Sequence, residues 1–324
     1  MTKSLVIKVL IGLLILAFTF FFYFKLSKEE EKVSQSEPSV VEDLDTTTNI
    51  INDVNYSSKD AKGNEYRILV LGDSITWGDY LFEEELFHAS LSTIQHPKNK
   101  TIRVVNAGVG DIGMHEIADI YFEQYDAVQP DLVLINLYLN DARPPWGFPQ
   151  EISQRGWLRR NIRLAEFIYK RIRLYQWIKE EGAERFAWTS LQSKLNWKHN
   201  KDDFQTLVQA AKYDWGAGWE QESIETIRPL LQKIHNHTKR NNIPIAMTIL
   251  PVAYQVYAEQ LHHEPQTLLN NLAQKEQIPV LDFLPSMREH QDKRLYYDQC
   301  HPNPQGNELM AQKLNPFIER LLQK

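Results

Sequence analysis

Five short runs dominated by apolar residues, 67–71, 102–105, 132–137, 243–250 and 278–283, punctuate the chain from residue 65 onward. They are rich in Ile, Leu and Val and show little polar alternation, the pattern of strands buried on both faces. Between them the apolar positions recur at helical spacing. That spacing predicts helices over 82–94, 116–128, 222–240 and 255–275, with a last one over 305–322. Continuous apolar strands alternating with amphipathic helices imply an α/β fold of three layers, with a central parallel sheet of about five strands.

Three stretches depart from this alternation. Residues 5–24 form a twenty-residue apolar run interrupted by Lys8 and ending in the aromatic cluster Phe18, Phe20, Phe21, Phe22, Tyr23 and Phe24. That length spans a bilayer core. Lys25, Lys28 and Glu29 to Glu31 follow directly, where a cleavable leader would need a shorter apolar region and a small-residue cleavage site. Residues 1–32 are therefore expected to be a membrane anchor and its flanks. Lysines on both sides of the span leave the charge rule without a preferred orientation. A short leader before a single span resembles a signal anchor, which would place the body outside the cytoplasm, in a periplasm or at the cell surface.

Residues 33–64 turn to Ser, Glu, Asp, Thr and Asn and read as a flexible linker. The domain proper is then 65–324, with a strand-free insertion at about 142–219. In the insertion Arg155, Arg159, Arg160, Arg163, Lys170, Arg171 and Arg173 recur at spacings that lay a basic stripe on one or two helices. A solvated helix face is the ordinary reading of such a stripe, and a lid or substrate platform the sharper one. Trp215, Gly216, Gly218 and Trp219 form an aromatic and glycine cluster suited to a cleft wall or to core packing.

The formal net charge of −6 offers no concentrated positive footprint for nucleic acid. Cys300 is the single cysteine, so no intrachain disulfide is possible. Oligomeric state is not legible.

Chemistry gathers at the ends of the apolar runs. The first leads into Gly72-Asp73-Ser74, where glycine permits a tight turn and Ser74 starts a helix. Asp73 is expected to satisfy local backbone donors. The second run leads into Asn106-Ala107-Gly108-Val109-Gly110-Asp111-Ile112-Gly113, a turn whose N–H groups can stabilise an oxyanion, and the third into Asn140-Asp141. Near the C-terminus Asp298 and His301 share one loop, stiffened by Pro302 and Pro304. A serine hydroxyl needs a base to take its proton and a third group to orient that base, so Ser74, His301 and Asp298 together point to acyl transfer. His235, His237, His262 and His263 have poor zinc spacing, and no metal or cofactor is expected. Cys300 is read as a packing residue.

The blocks Gly72-Asp73-Ser74, Asn106 to Gly110, Asn140-Asp141 and Asp298 to His301 resemble the SGNH, or GDSL-type, hydrolase superfamily over residues 67–322. The resemblance implies a flavodoxin-like sheet with Ser74 as nucleophile, His301 as general base and then acid, and Asp298 as orienting carboxylate. It also implies an oxyanion hole made of the Ser74 N–H, a second-block glycine N–H and the Asn140 side chain. The family's glycine usually lies five residues after the asparagine, where this chain has Asp111. Gly110 is the preferred donor, with Gly108 and Gly113 as alternatives. The family's glycine two residues before the third-block asparagine is here Tyr138, which narrows the site.

The expected function is a membrane-anchored serine esterase that removes acyl groups, foremost O-acetyl, from an envelope polysaccharide or glycan. Lysophospholipase or thioesterase action on a lipid or small acylated substrate is an alternative. An O-acyltransferase on envelope glycans and a non-catalytic envelope scaffold are the others.

Overall fold

The computed structural model describes residues 50–51, 63–78, 81–110, 112–142 and 187–323. The anchor expected over 1–32 and the basic stripe expected over 155–173 lie outside the described residues, as does most of the expected linker. Among the described residues no helix is long and apolar enough to cross a membrane.

The sheet contains β1 (Ile50–Ile51), β2 (Glu65–Leu71), β3 (Thr101–Asn106), β4 (Leu132–Tyr138), β5 (Ile245–Leu250) and β6 (Val280–Asp282). Every pairing is parallel and the order is β1-β3-β2-β4-β5-β6. All five predicted strands are present. The two-residue β1 is a sixth, and it corrects the reading of 33–64 as linker throughout. β2 starts at Glu65 rather than residue 67 because Arg67, almost wholly buried, is satisfied in place: its Nε donates to Glu65 Oε2 at 3.0 Å and its Nη1 to the Val128 carbonyl at 3.1 Å. β4 and β5 are buried along their whole lengths, as apolar runs without alternation require.

After β2 the chain steps to β3 on one side, then returns past β2 to β4, β5 and β6 on the other. With right-handed crossovers, α2 (Met114–Val128), α4 (Gln221–Arg240) and α6 (Glu264–Lys275) fall on one face. The 81–100 segment and α8 (Pro304–Leu322) cover the other. The reversal makes a topological switch point at the carboxyl end of β2, where open α/β sheets place their ligands.

Two predicted helices come out differently. Residues 82–94 form two 3-10 turns, Glu83–Glu85 and Ala89–Thr93, instead of one helix. Bonds to α8 hold this shape, with Phe87 N–H donating to Asn307 Oδ1 and Ser90 Oγ to Asn315 Oδ1. The 255–275 helix is split into α5 (Ala253–Tyr257) and α6. Arg288 donates to the carbonyls of Gln255 and Ala258, capping α5 early, and Pro265 opens the next helix.

The described part of the insertion is helical: a 3-10 turn Ala187–Ser190, α3 (Lys201–Ala210) and a 3-10 turn Trp215–Trp219. Trp215, Gly216, Ala217 and Gly218 are buried, so this cluster is largely core. Trp215 packs between Trp188 and Tyr254, with ring centroids at 6.0 and 5.1 Å.

Candidate active site

β2 ends at Leu71 and the four-residue helix α1 (Ser74–Trp77) begins at once. Gly72 is the residue that permits it: a Cβ there would lie 2.1 Å from Thr76 Oγ1 and 2.9 Å from the Asn136 carbonyl oxygen. Asp73 is the N-cap, its Oδ1 accepting from Ile75 N–H at 3.0 Å, the backbone role expected of it. Ser74, partly exposed, follows as the first helical residue.

The loop between Tyr296 and Pro302 closes on itself, with Tyr297 N–H donating to the His301 carbonyl at 2.9 Å. Inside it Asp298 Oδ1 accepts from the N–H groups of Cys300 and His301, both at 2.8 Å, and Oδ2 lies 2.8 Å from His301 Nδ1. His301 Nε2 lies 3.0 Å from Ser74 Oγ. A proton on Nδ1 shared with the carboxylate leaves Nε2 free to accept from the serine hydroxyl. Burial works to raise the Asp298 pKa, but the His301 ring and the two backbone N–H groups outweigh it and hold the carboxyl well below the usual range. Asp298 therefore stays ionised.

Cys300 Sγ lies 3.4 Å from Asp298 Oδ1 and 3.2 Å from His301 Nδ1. Asp298, Cys300 and His301 thus offer ligand atoms within 4.8 Å of one another. Burial, followed by the charge of Asp298, pushes the thiol pKa far up, so Cys300 keeps its proton and is a poor metal ligand. The four histidines weighed as a metal set do not form a ligand cluster among the described residues. His237 Nδ1 pairs with Tyr121 Oη at 2.8 Å, and His262 stacks on Phe204 at 3.6 Å.

The second block lies against α1. Val109 N–H donates to the Gly72 carbonyl at 3.2 Å, and a Cβ on Gly108 would come within 2.3 Å of Trp77 N. The buried Asn106 staples the two turns, donating to the Thr76 carbonyl and accepting from Gly108 N–H, each at 2.9 Å. Gly113 N–H donates to Glu116 Oε2 at 3.1 Å. Two of the three candidate glycines therefore have their amides engaged. Gly110, by contrast, is exposed, and a Cβ there would meet nothing within 4 Å. Asp111 lies outside the described residues.

In the third block Asp141 Oδ2 accepts from Tyr138 N–H at 2.8 Å, shaping the 3-10 turn Leu139–Ala142 that carries Asn140. Asn140 is partly exposed, and its Oδ1 is buried without a hydrogen-bond partner.

Beneath the site runs a polar ladder that sequence reasoning missed. Thr248 Oγ1 donates to Asn136 Oδ1 at 2.8 Å, and Asn136 Nδ2 donates to Thr76 Oγ1 at 3.1 Å. The signal for it was a polar residue inside each of two otherwise apolar strands, Asn136 in β4 and Thr248 in β5. The ladder ties α1 to the two strands below it.

The geometry meets an independent observation, since a model of the GDSL-like lipase/acylhydrolase family matches residues 70–309. The chain belongs to the GDSL-like lipase/acylhydrolase family. As a member of that family it is a hydrolase. Among solved structures it is similar to an acetylxylan esterase from Geobacillus stearothermophilus, at 15% identity and a TM-score of 0.45, covering 78% of this chain and 94% of that one. It is also similar to a lipolytic protein of the G-D-S-L family from Veillonella parvula, at 13% identity and a TM-score of 0.39, covering 76% and 95%. No curated protein matches the sequence.

Proposed function

We propose that this family member is a serine esterase in which Ser74 is the nucleophile, His301 the general base and then acid, and Asp298 the carboxylate that orients the imidazole. The observation that carries the reading is the unbroken hydrogen-bonded path from Ser74 Oγ through His301 to Asp298, at 3.0 and 2.8 Å. Ser74 Oγ attacks the ester carbonyl carbon while its proton passes to His301 Nε2. The tetrahedral intermediate then expels the alkoxide, which takes that proton as the acyl–oxygen bond breaks. Water repeats the sequence on the acyl-enzyme and returns Ser74. The imidazolium formed on the way is stabilised by Asp298, whose ionised state persists into acid.

The oxyanion would be held by the N–H groups of Ser74 and Gly110 and the side-chain amide of Asn140. Gly110 is favoured because the amides of Gly108 and Gly113 already serve Asn106 and Glu116. Asn140 is favoured by its place on the turn that follows β4, beside the strand that leads to Ser74.

We assign the substrate as an O-acetylated polysaccharide or glycan of the cell envelope, with residues 5–24 anchoring the protein and its body outside the cytoplasm. The support is the length and apolar character of that run and its uncleavable flank.

The test is hydrolysis of p-nitrophenyl acetate and release of acetate from an acetylated glycan by the full-length protein. Ser74→Ala and His301→Ala are expected to lower kcat by about 10³-fold or more. Asn140→Ala should cost roughly 10²- to 10³-fold in kcat with little change in KM. Undiminished turnover in Ser74→Ala would sink the reading.

A further inference from the structure

The single turn of α1 divides its four side chains between core and solvent. Ile75 and Thr76 are buried, Ser74 is partly exposed and Trp77 is 43% exposed. Residues three apart on a helix share a face, with Cβ atoms about 5–6 Å from each other. Helical side chains also lean toward the N-terminus, so an aromatic ring covers the turn before its own Cα. For Trp77 that is the turn presenting the Ser74 hydroxyl. The indole therefore stands beside Ser74 on the open side of α1, while His301 reaches the same hydroxyl from the base loop.

The indole makes no hydrogen bond or ring contact among the described residues. It is also not alone. Of the five large apolar side chains exposed among the described residues, three belong to the segments that meet at Ser74 and His301: Trp77, Phe82 just beyond α1, and Tyr297 directly before Asp298. Tyr297 faces outward because its neighbour Tyr296 is bridged to Pro302 and buried, its hydroxyl donating to the Pro251 carbonyl, and successive side chains of extended backbone take opposite sides. Exposed apolar side chains scattered singly are ordinary, whereas a set gathered around reacting groups marks a surface that something covers.

What covers Trp77 is set by its place beside the nucleophile. An acetyl group contributes one methyl, too little to cover an indole, so the alcohol part of the ester lies there. The face of an indole is electron-rich, and the C–H face of a pyranose offers it weakly positive hydrogens over a flat area of matching size. Glu83, Glu84 and Glu85 follow Phe82 directly, and this acidic rim repels anionic headgroups and anionic substrates. Resting on the esterase reading above, we infer that Trp77 is a sugar platform, on which an uncharged pyranose ring of the substrate stacks with its O-acetyl group directed at Ser74 Oγ.

The experiment compares kcat/KM of the full-length protein for glucose pentaacetate, counted per acetyl group, with that for ethyl acetate and ethyl octanoate. The wild type is expected to favour the sugar acetate over ethyl acetate by about tenfold or more, and Trp77→Ala to lower that ratio by about tenfold, mostly through KM. Trp77→Phe keeps an aromatic face and should keep most of the ratio. Trp77→Leu keeps an apolar side chain without the face and should lose as much as alanine, and it carries the test if the alanine variant does not fold. A ratio unchanged in the alanine or leucine variant overturns the inference, including the case in which both acetates slow together because Ser74 is disturbed. A loss confined to ethyl octanoate gives the ring to an acyl chain and overturns it as well. So does a wild type that takes the two acetates equally. Each of these outcomes leaves the esterase reading standing, whereas a folded wild type that hydrolyses no ester removes that reading and the inference with it.

Discussion

Asp298 places one oxygen on two backbone N–H groups and the other on His301, so the carboxylate proposed to orient the base is itself fixed by its own loop. Three residues of spacing allow this, and the local sequence carries the whole device. His88 is the opposite case. It is fully buried, neither ring nitrogen has a hydrogen-bond partner, and burial alone pushes its pKa down to about 3. A histidine with a depressed folded-state pKa binds its proton more readily when unfolded. No protonation penalty therefore arises above about pH 6.5, and stability is lost as pH falls from there toward 3. His88→Leu should flatten this dependence. The gap between variant and wild type in urea unfolding should widen between pH 7.5 and pH 4 by up to about 3 kcal/mol. A gap that does not change with pH would show that His88 escapes the core before it titrates.

At the scale of elements, the site depends on two turns approaching more closely than side chains permit. Gly72 lets β2 run directly into α1, and Gly108 lets the turn after β3 rest on the backbone of Thr76 and Trp77. Asn106 then bonds to both turns. Gly108→Ala puts a methyl 2.3 Å from Trp77 N and 2.6 Å from the Thr76 carbonyl carbon, against backbone that cannot rotate away. The expected result is a loss of about 2–4 kcal/mol in stability, with kcat reduced further than KM is raised because Ser74 is carried on the displaced helix. Denaturant unfolding and steady-state kinetics on the same preparation check both halves, and a variant as stable and active as the wild type would show that the two turns can separate freely. The fate of residues 82–94 belongs to this scale too. Their amphipathic spacing predicted one helix, yet side chains of α8 bond to Phe87 and Ser90 and hold two 3-10 turns.

For the whole molecule, the proposed anchor makes a prediction independent of the chemistry. Full-length protein expressed in cells should float with membranes in a density gradient and resist extraction by carbonate, whereas a chain lacking residues 1–32 should be released; extraction of the full-length chain by carbonate would refute the anchor. The sheet, its strand count from residue 65 and the alternation with helices were legible because burial on both faces leaves an unmistakable apolar run. The candidates Ser74, Asp298 and His301 stood out in the sequence because strand ends and a stiff loop are marked by Gly, Asp and Pro. What the sequence could not decide was everything that depends on residues far apart in the chain meeting. The 3.0 Å contact between Ser74 and His301 spans 227 positions, and nothing local to either end specifies it. The same holds for the Thr248–Asn136–Thr76 ladder and for the engagement of the Gly108 and Gly113 amides. It holds also for the early end of α5, set by an arginine thirty residues downstream of Ala258. Local pattern determined the elements and the chemical vocabulary of this protein. Only the parallel sheet, by bringing its strand ends to one edge, decided which of those residues came within hydrogen-bonding distance of one another.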